Sequence, residues 1–300
     1  MRVGLIAEFN PFHNGHIYLI NKIKELYPGC EIIVALSCDY VQRGELACVS
    51  FEKRKQIALE YGVSEVYELD FLTSTQAAHI FAEGSIKLLN TKKIDALVFG
   101  VSDTDDINKY IYAANAIKNN LETYNQNLKK VLKQGKSFIS AAYESLGLLI
   151  GEENIPQDIL GLEYTKYIVF NNLNIKLNCV KRTASHGSLE VNNQYASATK
   201  IRQMIENGED VSMYTPMKIE YPFLKIEDKY PEFQEIVRSL DNTELAKIKL
   251  MSEGMENLFK KHIEAKNYND FVEACTSKRY SHSRIKRVML YTLLKIKASD

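Results

Sequence analysis

Short apolar runs without polar alternation recur along the first third of the chain, at Val3–Phe9, Glu31–Leu36, Val63–Leu69 and Ile94–Phe99. Runs of that length predict strands buried on both faces, which is the habit of a parallel sheet. Between them the spacing turns helical. Ile17, Leu19, Ile20, Ile23 and Leu26 form a stripe over His16–Leu26, and Ser50 stands as an N-cap ahead of a helix through Lys53–Tyr61 that Gly62 would stop. A further helix is expected over Gln76–Leu89. Strands alternating with helices predict an α/β fold, its sheet covered on both faces.

From Asp106 to Leu149 the pattern is helical, with Ala113, Ala114, Ala116, Ile117, Leu121, Leu128, Val131 and Leu132 as the stripe and Gly135 as a break. Another helix over Pro156–Asn171 leads to a late strand at Ile175–Val180, a polar stretch through Asn193 and a helix opening near Ser197. Pro216, Pro222 and Pro231 then punctuate the chain. The reading therefore divides it into residues 1–213 and a smaller helical domain at 214–300.

Composition narrows the partners more than the fold. The 300 residues carry 38 Lys plus Arg against 38 Asp plus Glu, so no global basic field exists and a nucleic acid would have to be held by a local patch. With 45% hydrophobic and 25% charged residues, the chain lies outside the disordered and collagen-like classes. Cys30, Cys38, Cys48, Cys179 and Cys275 are odd in number and form no C-x-x-C, which points to reduced thiols in a cytoplasmic protein. No apolar run reaches the length of a membrane span, and Val3–Ala7 meets Glu8 and Asn10-Pro11 too soon for an export signal, so no membrane partner is expected.

The densest chemistry lies in Asn10-Pro11-Phe12-His13-Asn14-Gly15-His16, an H-x-G-H at the turn between the first strand and the first helix. A helix N-terminus presents unpaired N–H groups and the positive end of the dipole, so it favours phosphate. Gly15 would let the backbone approach that phosphate, and two imidazoles can donate to the oxygens of a phosphoryl group under attack. The plainer alternative is a turn whose histidines only cap the helix. Ser197-Ala198-Thr199-Lys200-Ile201-Arg202 opens a later helix with hydroxyls and cations suited to a polyphosphate, although solvated helix starts share that pattern.

Between Glu273 and Asp300 no acidic residue occurs, while Lys278, Arg279, Arg284, Lys286, Arg287, Lys295 and Lys297 supply cations with Tyr280 and His282 among them. Such a cluster suits RNA phosphates and splayed bases. A solvated helix end that packs Val288, Leu290 and Leu293 inward is the alternative. Arg43, with Tyr40 and Gln42 in the loop Asp39–Glu45, is a second candidate to face RNA or a small acid, though a polar surface loop has the same composition.

The segment Gly4 to His16 resembles the opening of the bacterial tRNA(Met) cytidine acetate ligases, a branch of the H-x-G-H nucleotidylyltransferase superfamily. The resemblance continues through Val41–Glu45, Phe99-Gly100, Ile159–Tyr164, Ser197–Arg202, Lys278–Tyr280 and Ser283-Arg284. It implies a Rossmann-like nucleotidylyltransferase sheet over residues 1–213 and a candidate tRNA-binding helical domain after it. It also implies a two-step reaction. Acetate attacks the α-phosphate of ATP and pyrophosphate leaves; the acetyl-adenylate then acylates the exocyclic amine of the wobble cytidine of elongator tRNA(Met), forming N4-acetylcytidine.

On that resemblance His13, His16, Thr199 and Lys200 are the expected catalytic residues. Ile6, Ala7, Glu8, Phe9, Asn10, Pro11, Phe12, His13, Asn14, Gly15, His16, Ile17, Tyr18 and Leu19 would line ATP, with Gly100, Gln157, Arg182, Ser197 and Arg202 as further contacts. RNA would meet Arg43, Lys278, Arg279, Tyr280, Arg284 and Arg287. ATP enters as substrate with Mg²⁺ on its phosphates, and neither a tightly bound cofactor nor a protein metal site is expected. His186 lies beside Gly187 in a stretch that could close over ATP or be a plain loop. The chain departs from the family pattern at Gln157, where Asn is usual, at Val101-Ser102-Asp103, where a small residue and Glu are usual, and in stopping soon after Lys278–Tyr280. Two rival readings stand beside the ligase: a nucleotidylyltransferase that adenylates a phosphorylated metabolite, and an RNA-binding protein without turnover.

Overall fold

The computed structural model describes residues 1–183, 189–220 and 225–299; His186 and Pro222 fall outside them. Strands β1 (Arg2–Ala7), β2 (Glu31–Ser37), β3 (Glu65–Leu69), β4 (Ala96–Val101) and β5 (Lys176–Lys181) form one parallel sheet in the order β3-β2-β1-β4-β5. Central β1 pairs Val3 with Ile32 on one side and with Ala96 on the other. Successive residues point to opposite faces. Val3, Leu5, Ile32 and Val34 pack with Ile20 and Ile23 of α1 (Asn14–Leu26), while Ile33, Ala35, Leu97 and Phe99 pack with Phe81, Ile86 and Leu89 of α4 (Ala78–Thr91). Two covered faces are why these strands read as continuous apolar runs.

Element edges shift for local reasons. The first strand ends at Ala7 rather than Phe9, because Phe9 turns to φ +48. In α2 (Phe51–Glu60) Ser50 makes no side-chain cap; Asp39, from the loop after β2, accepts the Phe51 N–H instead. The helical stretch after β4 is broken at Asn120 as well as at Gly135, giving α5 (Ile107–Asn119), α6 (Leu121–Leu132) and α7 (Phe138–Ile150). Asp158, not Pro156, opens α8 (Ile159–Phe170) by capping Gly161 N–H. Short α3 (Phe71–Ser74) and the hairpin of β6 (Val191–Asn192) with β7 (Tyr195–Ala196), ahead of α9 (Ala198–Glu206), left no periodic trace in the sequence.

Helices α10 (Tyr230–Ser239), α11 (Asn242–Leu245), α12 (Met255–His262), α13 (Tyr268–Cys275) and α14 (His282–Leu293) close over a separate apolar core. Its centre is the ring set Phe233, Phe259 and Phe271, in edge contact at 5.1 to 5.8 Å. The segment before it stays on the sheet past the boundary expected at 213. Thr215 donates to Phe12 O at 2.6 Å, and Met217 and Ile219 join the core beneath β1.

The two parts meet along α14. Tyr291 packs on Phe71 and shares a 2.9 Å hydrogen bond with Thr75, Lys286 pairs with Glu45 at 2.6 Å, and Arg287 donates to Gln42 O at 3.2 Å. Gly44 has φ +80, and a Cβ there would stand 2.7 Å from the backbone nitrogen of Arg287, so only glycine fits that crossing. Among the described residues no helix is long and apolar enough to cross a membrane.

Candidate active site

The direction of strand winding reverses between β1 and β4, and an open parallel sheet receives ligands beyond the carboxyl ends of the strands at that switch point. Here the place is a cavity of about 220 Å³, reached by the ends of β1, β4 and β5, the start of α9 and the loop after β2. Phe9 shapes it from below. A bulky residue at φ +48 is strained by about 1 kcal/mol or more, and the strain is held by burial, with the ring edge-on to Phe12 at 5.0 Å and to His16 at 4.8 Å.

The histidine pair is the chemical centre. His13 is the N-cap of α1: its Nδ1 accepts Gly15 N–H at 3.0 Å, while His16 Nδ1 accepts His13 N–H at 3.1 Å. A backbone N–H can only donate, so neither Nδ1 carries a proton, and the neutral rings must hold theirs on Nε2. The rings stack at 3.8 Å and both line the cavity. Capping and ligand donation, alternatives on sequence grounds, are compatible in this geometry, because the caps use Nδ1 and leave Nε2–H to donate. Burial, reinforced by Arg182 and Arg202, brings His13 down to about 4; burial, His13 and Arg182 hold His16 well below its ordinary value. Gly15 has a different reason from the one its motif suggested: a Cβ would sit 2.8 Å from Cε1 of His13, inside the capping ring.

The cationic side comes from two later elements. Arg182, after β5, pairs with Asp158 at 3.0 Å, and its stem passes over Gly100, where a Cβ would approach Nε to 3.1 Å. In α9, Ser197 caps Lys200 N–H at 3.1 Å, and Thr199 and Arg202 line the cavity one turn apart. Arg202 also donates to Asn10 O at 2.7 Å. Lys200, one residue on from Thr199, is rotated off the shared helix face; its Nζ reaches Gln203 at 3.4 Å, away from the cavity wall.

Residues 1–300 match the HIGH Nucleotidyl Transferase family. A tRNA(Met) cytidine acetate ligase of Mycoplasma mobile is 54% identical over 299 residues, covering 99% of this chain and 100% of the relative. The chain belongs to the tRNA(Met) cytidine acetate ligase family. The TmcAL of Thermotoga maritima in its apo form superposes with a TM-score of 0.89 at 27% identity, over 99% of this chain and 76% of that one. A second crystal form of that protein, bound with alpha-thio ATP, gives 0.87 at 28% identity over the same shares.

For a tRNA(Met) cytidine acetate ligase the chain arranges several expected residues differently. Ile6, Ala7, Glu8, Phe9, Asn10, Gly15, Tyr18 and Leu19 line the cavity, whereas Pro11, Phe12, Asn14 and Ile17 do not. Phe12 is core, and Asn14 donates to Gln194 O and Met213 O, tying α1 to the hairpin. Gln157 is exposed and off the wall; its neighbour Asp158 stands there instead. Asp103 is also off the wall, accepting from Tyr110 at 2.9 Å, Lys109 at 3.2 Å and Gln157 N at 3.3 Å. Burial pushes its carboxyl up, but those hydrogen bonds outweigh burial and leave it below the usual range.

The RNA candidates divide. Arg43 lines the cavity rather than the distant basic segment. Arg279 is clasped by Glu253 at 2.8 and 3.0 Å, Tyr280 donates to Glu253 O, and Arg284 donates to Ser252 at 2.7 Å while lying over the Tyr280 ring. Glu253 lies twenty residues before Glu273, so the sequence spacing hid it. Lys278 is exposed. Arg287 corrects the reading outright: it is 8% exposed, spends a donor on Gln42 O, and burial lowers it to about 10, so it is a strut between the two parts rather than a phosphate contact.

One residue escaped sequence reasoning entirely. Arg54, fully buried, donates to Val49 O, Glu8 O, Ser37 O and Cys38 O, gathering the carbonyl ends of β1 and β2. The signal was present: Phe51, Arg54 and Ala58 form the buried stripe of α2, and a charge on such a stripe marks a buried polar hub.

Proposed function

We propose that this chain is an ATP-dependent tRNA(Met) cytidine acetate ligase, forming acetyl-adenylate and passing the acetyl group to the wobble cytidine of elongator tRNA(Met) in the cytoplasm. The observation that carries the reading is the pair of neutral imidazoles locked by their own helix caps, each with an Nε2–H left to donate at the mouth of α1. ATP, taken with its Mg²⁺ as substrate, would lay its phosphates against His13, His16, Thr199, Arg182 and Arg202. Acetate and triphosphate repel one another, so fixed donors and cations are what bring them together.

In the first step an acetate oxygen attacks the α-phosphorus and the bond to pyrophosphate breaks. The Nε2–H groups and the guanidinium of Arg182, oriented by Asp158, offset the charge that gathers on the departing oxygens. Neutral rings suit this work, since they donate without themselves needing a counter-ion. The catalytic unit is assigned to the sheet domain through Ile219, and the helices from residue 225 on, with Lys278, Arg279 and Arg284, are assigned to tRNA. The test is acetate-dependent exchange of labelled pyrophosphate into ATP by the purified protein, followed by transfer of labelled acetate into tRNA(Met). Exchange and labelled RNA together support the ligase; exchange only with a phosphorylated metabolite in place of acetate would replace it.

A further inference from the structure

Glu8 is out of place in a cavity built for anions. It follows β1 directly, lines the cavity beside Arg43 and Glu45, and its carboxylate accepts Gln42 N–H at 2.7 Å. A carboxylate there repels both acetate and triphosphate, so the anionic parts of these ligands give no reason for it. Its position is nevertheless closely held. Arg54 donates to its carbonyl at 2.6 Å, Phe9 after it is strained into position, and Gln42, which gives it the N–H, is itself held through its carbonyl by Arg287. Asp158 is paired with Arg182 and Glu45 with Lys286, whereas the carboxylate of Glu8 is oriented by a backbone N–H, and such placement points to a partner that donates protons.

The second half of the reaction supplies such a partner. The lone pair of a cytosine amine is drawn into the ring, so the nitrogen is a poor nucleophile until a proton is taken from it. We infer that Glu8 is the general base of acetyl transfer, receiving the proton of the acceptor amine as that nitrogen attacks the acetyl carbon. The inference rests on the acetyl-adenylate of the proposed function. The C–N bond forms with the nitrogen lone pair, the bond from the acetyl carbon to the phosphate oxygen breaks, and AMP leaves with that electron pair. The amine proton resides on Glu8 until it passes to AMP or to solvent.

The surroundings suit a base. Burial raises the carboxyl, and Glu45 adds to this, while the Gln42 N–H, Arg202 and Arg43 pull the other way. Arg54 on α2 and Tyr164 on α8 also feel its charge, and His13, His16, Asp158 and Arg182 share the cavity with it. The loop that carries Gln42, Arg43 and Glu45 is the one α14 braces, so the base stands on the side of the cavity nearest the helical part assigned to RNA.

The experiment compares two activities of the full chain. Glu8→Gln keeps an oxygen to accept Gln42 N–H and matches the shape, so folding is preserved and is checked by thermal melting. Exchange of pyrophosphate in the presence of acetate reads the first step; transfer of labelled acetyl to tRNA(Met) reads the second. The ratio of transfer to exchange falls about 100-fold in Glu8→Gln, within the usual span for loss of a general base. The acid limb of the wild-type transfer rate, set by a carboxyl above its ordinary value, disappears in the variant. Equal loss of both activities would make Glu8 a nucleotide-positioning group, and an unchanged ratio would leave it no role in transfer; either overturns the inference. Wild-type protein without acetate-dependent exchange would instead overturn the ligase reading on which it rests.

Discussion

At the scale of single residues the site is governed by where protons are allowed to sit. His13 and His16 each use Nδ1 as a helix cap, so adding a second proton to either ring removes an acceptor from a backbone N–H. The sign of the pH effect follows. An unfolded histidine takes a proton near pH 6.5, whereas folded His13 resists until about 4, so the unfolded chain binds more protons in that interval. Stability is complete above about pH 6.5 and falls as the pH drops toward 4, seen as a declining melting temperature, while the exchange reaction shows no histidine inflection near 6.5. Replacing His16 by Ala removes a cap and a donor together, and acetate-dependent exchange should fall about 100-fold to 1,000-fold. Arg54→Met, by contrast, touches no ligand but strands four carbonyls; a urea titration should show a loss of about 3 kcal/mol or more.

Elements were legible where a face repeats. Parallel strands buried on both sides announce themselves as unbroken apolar runs, and α1 and α4 carry stripes long enough to read. What failed to register was either too short to have a period, as with α3 and the β6–β7 hairpin, or depended on a partner far along the chain, as with Asp39 capping α2 and Glu253 clasping Arg279. The site divided the same way. The H-x-G-H turn was legible because its residues act on one another within four positions, but the rotation that carries Lys200 away from the cavity and the burial of Arg287 are tertiary facts. The loop after β2 tests this scale. Gly44→Ala forces a methyl against the backbone of α14 at a positive φ, at a cost of about 2 kcal/mol, and should lower the melting temperature and weaken ATP binding in the same variant.

Across the whole molecule, net neutrality hides two unlike surfaces: a cavity with Arg182 and Arg202 on its wall, and a C-terminal segment whose cations are partly answered by Glu253. On the proposed assignment to RNA, the segment therefore offers fewer free cations than its count of Lys and Arg suggests. Lys278→Ala should weaken tRNA binding alike for cognate and non-cognate tRNA, and should lower the slope of log affinity against log salt by about one in a filter-binding titration. The contact between Gly44 and α14 has a bearing on engineering. Because the cavity loop is buttressed from outside by Lys286 and Arg287, anyone trimming the chain to a stand-alone acetate-activating module would delete a wall brace along with the helices proposed to meet RNA. Such a module would need a substitute brace, for example a short grafted helix, before its small-molecule chemistry could be judged on its own.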